Sequence, residues 1–281
     1  MIAFGIALAL AAAVIHGSWN VLVKSAGDPI ATFRRATLLA AGVATVALVP
    51  EWILLGRPAF NPVALGLGVV SATLETIYLL LLSTAYRRGD LSAVYPIARG
   101  TAPLLAVAVG LVVLGESLST AQLAGVGLLL LGIVAVTLSQ SGGGATVPAL
   151  LTGLCIAAYT SVDRVGVRLA APWLYAWLLF TLMAIEMPLG LWIASRWAGM
   201  AAAGTQTWGK AALVGGGMWA GYFLVLWALS FAPLAIVAPV REVSIVAVAA
   251  WGVWRMQERS GVAMKLSGAA AAVIGVALLA A

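Results

Sequence analysis

Arg99 and Glu242 stand 143 residues apart, and each follows a proline by three residues inside an apolar run. Pro96 and Pro239 lack an amide hydrogen and disturb the turn before them, freeing a carbonyl to face a cavity. A guanidinium holds a carboxylate, phosphate or phosphonate through two parallel hydrogen bonds, and a carboxylate holds an amine. Arg99 and Glu242 can therefore clasp a small zwitterion, with Glu75 as a second anchor for the amine. Aromatic side chains fall on the same helical faces, because residues three or four apart are neighbours on a helix. Glu75 shares a face with Tyr78, Arg99 with Tyr95, Trp219 with Tyr222, and His16 with Trp19 and Asn20. Such walls attract an organic ammonium group by cation–π contact, worth roughly 0.5–2 kcal/mol each.

Proton binding is a second chemistry within reach, and His16, Glu75 and Glu242 are its candidates. Structural readings compete with both. Arg99 with Glu75 or Glu242 can be an ion pair between helices, Arg241 can pair with a neighbouring helix, and His16 can be a hydrogen-bonded core histidine. Glu186 is central in its span without a cationic companion there, while Asp163 and Arg164 approach the outer end of theirs. Trp173, Tyr175, Trp177, Trp192, Trp197 and Trp208 lie near span ends and read as interface belt. Glu116 and Glu258 follow apolar runs and read as loop or helix-cap residues. Cys155 stands alone, which excludes a disulfide within the chain and a thiolate metal site. No cofactor, metal or catalytic residue is expected.

These polar residues are exceptions. The chain has 281 residues, 63% hydrophobic and 9% charged, with mean hydropathy +1.10. A spanning helix needs about 20 apolar residues. Apolar runs between charged or Gly/Pro-rich breaks predict ten spans, at 2–23, 36–55, 63–85, 91–114, 121–139, 147–169, 173–197, 211–231, 234–254 and 264–281. The predicted fold is an all-α integral membrane bundle of ten transmembrane helices. Short connections leave no room for a soluble domain, so any chemistry lies within the bundle. The first run lacks a basic start and carries His16 and Asn20 late, which reads as a helix and not a signal peptide.

The net charge of +6 does not point to nucleic acid, because most cations sit at span ends. Lys24, Arg34, Arg35, Arg87, Arg88, Arg196, Lys210, Arg255, Arg259 and Lys265 fall on one side of the ten-span arrangement. Arg57, Arg164 and Arg168 fall on the other. By the positive-inside rule the first side is cytoplasmic, so both termini are expected to be periplasmic.

The chain also repeats itself. Ala85, Pro96 and Gly125 find Ala228, Pro239 and Gly268 at an offset of 143, Glu116 finds Glu258 at 142, and Tyr78 finds Tyr222 at 144. A linker over 141–146 separates a first repeat, 1–140, from a second, 147–281. Five spans in each half force opposite orientations, a 5+5 inverted repeat expected to work as a monomer. Membrane repeats of this kind meet near the bilayer midplane, where broken helices form the substrate site of carriers. Gly125-Val-Gly127 and Gly215-Gly-Gly217 lie inside spans, where small residues serve packing and not phosphate binding. There is no Walker motif, so hydrolysis in this chain does not drive transport.

The segment Ser92-Ala-Val-Tyr-Pro-Ile-Ala-Arg-Gly-Thr-Ala-Pro103, leading to Leu114-Gly-Glu-Ser117 and a glycine-rich fifth helix, resembles the EamA-type members of the drug/metabolite transporter superfamily. His16-Gly-Ser-Trp-Asn20 followed by Lys24 resembles the first helix of that family. The second copy has Gln257 where the first has Gly115 and keeps the glutamate, Glu258. The resemblance covers essentially the whole chain. It implies a secondary active or facilitative transporter in a bacterial inner membrane, alternating access to a small polar zwitterion such as an amino acid or aminophosphonate, and working as an exporter. Trp19, Glu75, Tyr78, Tyr95, Arg99, Trp219, Tyr222 and Glu242 are the expected substrate-binding residues. The expected partners are a small-molecule substrate and the lipid bilayer, without nucleic acid. A quaternary amine such as choline is the rival substrate, favoured by the aromatics and disfavoured by Arg99. A membrane enzyme on lipid-linked substrates, or a non-transporting flippase subunit, is the alternative class; one histidine and scattered carboxylates speak against the enzyme.

Overall fold

Within hydrocarbon every backbone amide and carbonyl must find a partner inside the chain, and a helix achieves this within each segment. The structure, a computed structural model, describes residues 1–56, 59–89, 91–138, 143–197, 207–245 and 262–280, and their regular structure is helical throughout. Three long helices come first: α1 (Ile2–Ser25), α2 (Pro29–Leu54) and α3 (Pro62–Arg88). The fourth run is broken into α4 (Leu91–Gly100), α5 (Ala102–Ala108) and a π-helical turn over Val109–Val113. α6 (Thr120–Leu138) follows, then a 3-10 turn at Gly143–Ala145 inside the predicted linker. The remainder comprises α7 (Thr146–Leu169), α8 (Pro172–Trp197), α9 (Trp208–Phe231), α10 (Leu234–Arg241) and α11 (Val262–Ala280). Seven segments are long and apolar enough to cross a membrane, and two shorter apolar helices, Thr120–Ala135 and Leu266–Leu279, accompany them. The chain is a multi-pass membrane protein. Of the predicted span 234–254, residues 246–254 lie outside the described residues, as does Glu258.

Two helix starts carry the same cap. The Asp28 carboxylate accepts from the amides of Ile30 and Ala31 at 3.0 and 3.4 Å, ahead of Pro29. Asn61 does the same for Val63 and Ala64 at 2.8 and 3.3 Å, ahead of Pro62. Oxygen-bearing caps followed by proline are strong start signals. This corrects the predicted second span: α2 begins at Pro29 instead of residue 36, so Arg34 and Arg35 lie within a helix. Arg35 reaches over the Trp208 ring, 5.0 Å from its centroid.

The helices interleave across the linker. α6 packs along α11, α3 along α7, α1 along α9, and α2 against α8 and α9, while α5 meets α10. Lipid offers no hydrophobic drive between helices, so close backbone approach through small residues holds them. A Cβ on Gly275 would stand 2.7 Å from the Gly125 carbonyl, and one on Gly132 would stand 2.8 Å from the Ala272 amide. Large apolar side chains such as Val46, Leu54, Leu131 and Leu213 point outward.

One end of the bundle is tied by Lys24, whose Nζ donates to the carbonyls of Tyr86 and Gly89, both at 2.8 Å. Arg87 meets Asp28 there at 3.1 Å. At the other end Gly115 adopts φ +64°, a conformation open to glycine at little cost. The turn aims Glu116 at the start of α10, where its carboxylate accepts from the amides of Leu234 and Ala235 at 2.8 and 2.9 Å. Arg164 donates its Nε to the same carboxylate at 2.9 Å and Nη1 to the Leu229 carbonyl. Arg164, counted above among the outer-side cations, is buried.

Candidate functional site

α4 carries Pro96 and stops at Gly100, while α10 carries Pro239 and stops at Arg241. Arg99, Arg241 and Glu242 thus sit at helix ends inside the bundle, each no more than 2% exposed. Arg99 Nη1 donates to both oxygens of Glu242 at 3.1 Å, and Arg241 Nε donates to Glu242 Oε1 at 2.9 Å. Charge inside a bundle is expensive unless paired. The two repeat-related residues, Arg99 and Glu242, therefore clasp each other. Tyr95 lies against Arg99, 5.5 Å from ring centroid to guanidinium carbon, and its hydroxyl meets Ser244 Oγ at 2.8 Å. One carboxylate serves two guanidinium groups, and Arg241 Nη1 has no partner in the protein.

Five of the predicted residues, His16, Trp19, Glu75, Tyr78 and Tyr222, line one small cavity of ≈ 20 Å³. Tyr159 of α7, Phe180 and Met183 of α8, and Met218 of α9 complete its wall. None of these side chains is more than 5% exposed, so the cavity is occluded. Tyr159 stands between Tyr78 and Tyr222, with ring centroids 5.8 and 5.6 Å away. His16 Nδ1 bonds the Ala12 carbonyl at 2.8 Å, an assignment that places the ring proton there. Gly221 brings α9 against that ring: a Cβ there would lie 3.0 Å from His16 Nδ1. Arg241 does not line this cavity; it lies beside it, against Thr160 of α7 and Glu242, in a second, smaller crevice.

Among the buried polar atoms in or beside this centre without a protein partner are Glu75 Oε1, the Trp19 indole N–H, Arg241 Nη1 and Ser71 Oγ, one turn before Glu75. Leaving such a group unpaired costs about 1–3 kcal/mol, more when it is charged. An acceptor, two donors and a hydroxyl are therefore available to a polar guest. Asp163 belongs here too. It is fully buried and accepts the Tyr175 hydroxyl at 3.0 Å on Oδ1 and the Tyr222 hydroxyl on Oδ2.

The remaining predictions sort as follows. Trp219 stacks on Phe223, centroids 5.6 Å apart, and takes no part in the cavity wall. Tyr95, Arg99 and Glu242 stand outside that wall as well, the last lining the smaller crevice. Tyr175 is no belt residue but a buried ligand of Asp163. Trp192 and Trp208 are exposed, while Trp177 bonds Thr45 at 3.2 Å. Glu186 accepts hydroxyls from Thr73 and Thr76 of α3, both at 3.1 Å. Asp163 and Tyr159 were missed as site residues although the repeat marks them: at the offset of 143 they correspond to Asn20 and His16. Asn20 in turn accepts the Tyr86 hydroxyl at 2.7 Å, a tyrosine bond like that of Asp163.

Residues 3–138 match the model of the EamA-like transporter family. The first half of the chain is thus similar to that family. Within the drug/metabolite transporter superfamily its members are membrane transporters and not enzymes. A solved structure described as "Crystal structure of protein" superposes with a TM-score of 0.70 at 14% identity, covering 98% of this chain and 95% of that one. The two share a fold over nearly their whole length. No curated protein matches this EamA-like chain.

Proposed function

We propose that this EamA-like chain carries a small zwitterion, such as an amino acid or aminophosphonate, across a bacterial inner membrane, and that it works as a monomeric exporter. The observation that carries the substrate class is the set of unpartnered buried atoms. Glu75 Oε1 takes N–H groups of an ammonium, and Arg241 Nη1 with the Trp19 indole takes an anionic end. Arg241 replaces Arg99 in this role, because its Nη1 has no partner after Nε pairs with Glu242. Trp19, Tyr78, Tyr159 and Tyr222 supply an aromatic wall beside Glu75. That wall also suits a quaternary amine, but a quaternary nitrogen has no N–H for the free Glu75 oxygen.

The proposed mechanism is alternating access in a 5+5 inverted repeat. Its support is the reciprocal packing: α1 packs with α9 and α3 with α7, while α6 packs with α11 and α5 with α10. The clamps at Lys24 and at Glu116–Arg164 close the two ends, and opening one while the other holds exposes the cavity to one side at a time.

A thermal-shift panel of amino acids, aminophosphonates and quaternary amines tests the substrate reading. Stabilisation is about 2.7 kcal/mol when ligand reaches 100 times its Kd. One or more zwitterions should raise the melting temperature of the wild type and leave Glu75→Gln and Arg241→Ala unshifted. Arg241→Ala keeps the Arg99–Glu242 pair. Equal shifts in wild type and both variants would remove these residues from the site.

A further inference from the structure

Cations at span ends orient a membrane protein, and two of those at the Lys24 end have protein partners. Lys24 is held by two carbonyls and Arg87 by Asp28, the one acid at that end among the described residues. Arg35 is held by neither kind of group. It stands six residues after Pro29 in α2, about 9 Å along the axis from the helix start. Helical side chains lean toward the N-terminus of their own helix, so its long stem carries the guanidinium back toward the end of the bundle. There it lies over the Trp208 ring, 5.0 Å from the centroid. Its Nη1 is buried and has no partner in the protein. No carboxylate pairs with it among the described residues, and the sequence from 198 to 207, which leads to Trp208, contains no acid.

The helices around Arg35 form a cationic mouth on the lipid side. Arg35, on the second turn of α2, meets the first residue of α9, so both helices begin at this end. Trp177 near the start of α8 bonds Thr45 far along α2, so α8 runs the opposite way and brings Arg196 to the same end. Just beyond Arg35 the two helix backbones touch: a Cβ on Gly215 would stand 2.5 Å from the Ala36 carbonyl. Trp208 is 57% exposed at the mouth of that contact, and Leu38 and Leu213, a turn deeper on the two helices, are exposed as well. Thr207 makes no side-chain cap to α9, so the first amides of that helix add the positive end of its dipole. An anion seated here meets a guanidinium from α2 and a helix start from α9, with apolar side chains leading away from it into the bilayer.

We infer that the mouth between α2 and α9 binds the phosphate of an anionic phospholipid from the adjacent leaflet, with Arg35 as its charged ligand and Trp208 as its wall. A guanidinium offers a phosphate two parallel N–H donors, which a buried Nη1 without an acceptor still lacks. The exposed Trp208 ring needs only to turn for the phosphate to reach the group. An indole with an apolar body and a polar edge belongs at headgroup depth, and Leu38 and Leu213 extend the site along the acyl chains. A headgroup that also carries an ammonium is repelled by Arg35 and by the start of α9, so phosphatidylglycerol is favoured over phosphatidylcholine. The site lies apart from the central cavity and does not depend on what that cavity carries.

Native mass spectrometry of the delipidated full-length protein, with phosphatidylglycerol and phosphatidylcholine added in equal amounts, tests the site. The wild type should retain phosphatidylglycerol in preference. One cation near a membrane surface is worth about a fivefold factor in binding. Arg35→Gln should therefore lower phosphatidylglycerol retention about fivefold, while Arg88→Gln, an exposed cation at the same end, leaves it unchanged. A photoreactive phosphatidylglycerol should crosslink to wild-type peptides covering 29–38 or 208–213, and excess glycerol 3-phosphate should not displace it. Equal retention of the two lipids by the wild type overturns the site, and so do crosslinks confined to other helices; neither result needs a variant to fold. Equal losses in Arg35→Gln and Arg88→Gln would replace the site by diffuse surface charge. Displacement by glycerol 3-phosphate would make it a soluble-phosphate site and overturn the lipid assignment.

Discussion

Glu242 is the residue on which the central charges depend, because it neutralises Arg99 and Arg241 at once with bonds of 3.1 and 2.9 Å. Removing one partner of a buried pair leaves the other uncompensated, at a cost of about 3–5 kcal/mol. Glu242→Gln should therefore lower stability by about that amount in detergent unfolding titrations, and Arg241→Ala by clearly less. Equal losses in the two variants would show that Glu242 does not anchor both arginines. Sequence alone paired Arg99 with Glu242 through the offset of 143, and Glu75, Tyr78, Tyr222, Trp19 and His16, singled out from the same pattern, line one cavity. It could not show that the first pair closes on itself, because spacing locates residues without revealing which donor remains unbound. Asp163 escaped because its place six residues before the predicted end of the span suggested the outer end of the bundle, whereas packing against Tyr175 and Tyr222 buries it.

At the level of elements, the glycine stripe between α6 and α11 joins the two halves of the sequence. A Cβ on Gly275 would press within 2.7 Å of the Gly125 carbonyl and of the Leu129 amide, whereas one on Gly127 would meet nothing within 4 Å. Overpacking of a tight contact costs about 1–3 kcal/mol. In a helix Ala is favoured over Gly by about 1 kcal/mol. Gly275→Ala should thus lower the melting temperature in detergent, while Gly127→Ala leaves it unchanged or raises it. The reverse order would mean that α6 and α11 do not approach so closely. The hydropathy runs located these helices to within a few residues, since lipid-facing apolar stretches are long and sharply bounded. They missed the start of α2, where Asp28-Pro29 caps the helix upstream of two arginines, and the break after Gly100. Apolar content does not distinguish a broken span from a continuous one.

Across the whole molecule, helices from before the linker pair with helices from after it, so the cavity is walled by α1 and α3 on one side and α7, α8 and α9 on the other. In the proposed mechanism, relative movement of the two sets changes access to Glu75. Both ends are tied in this conformation, at Lys24 and at Glu116, and the side chains of the centre are buried. The family likeness and the bundle were legible in the sequence because they rest on length, repetition and small-residue packing. The guest that completes the centre was legible only as a charge pattern. Uptake of a radiolabelled amino acid or aminophosphonate into proteoliposomes tests the account most directly. The wild type should show saturable uptake that accelerates when the vesicles are preloaded with the same compound, and Glu75→Gln should fall to the level of empty vesicles. Undiminished uptake by correctly folded Glu75→Gln would contradict it.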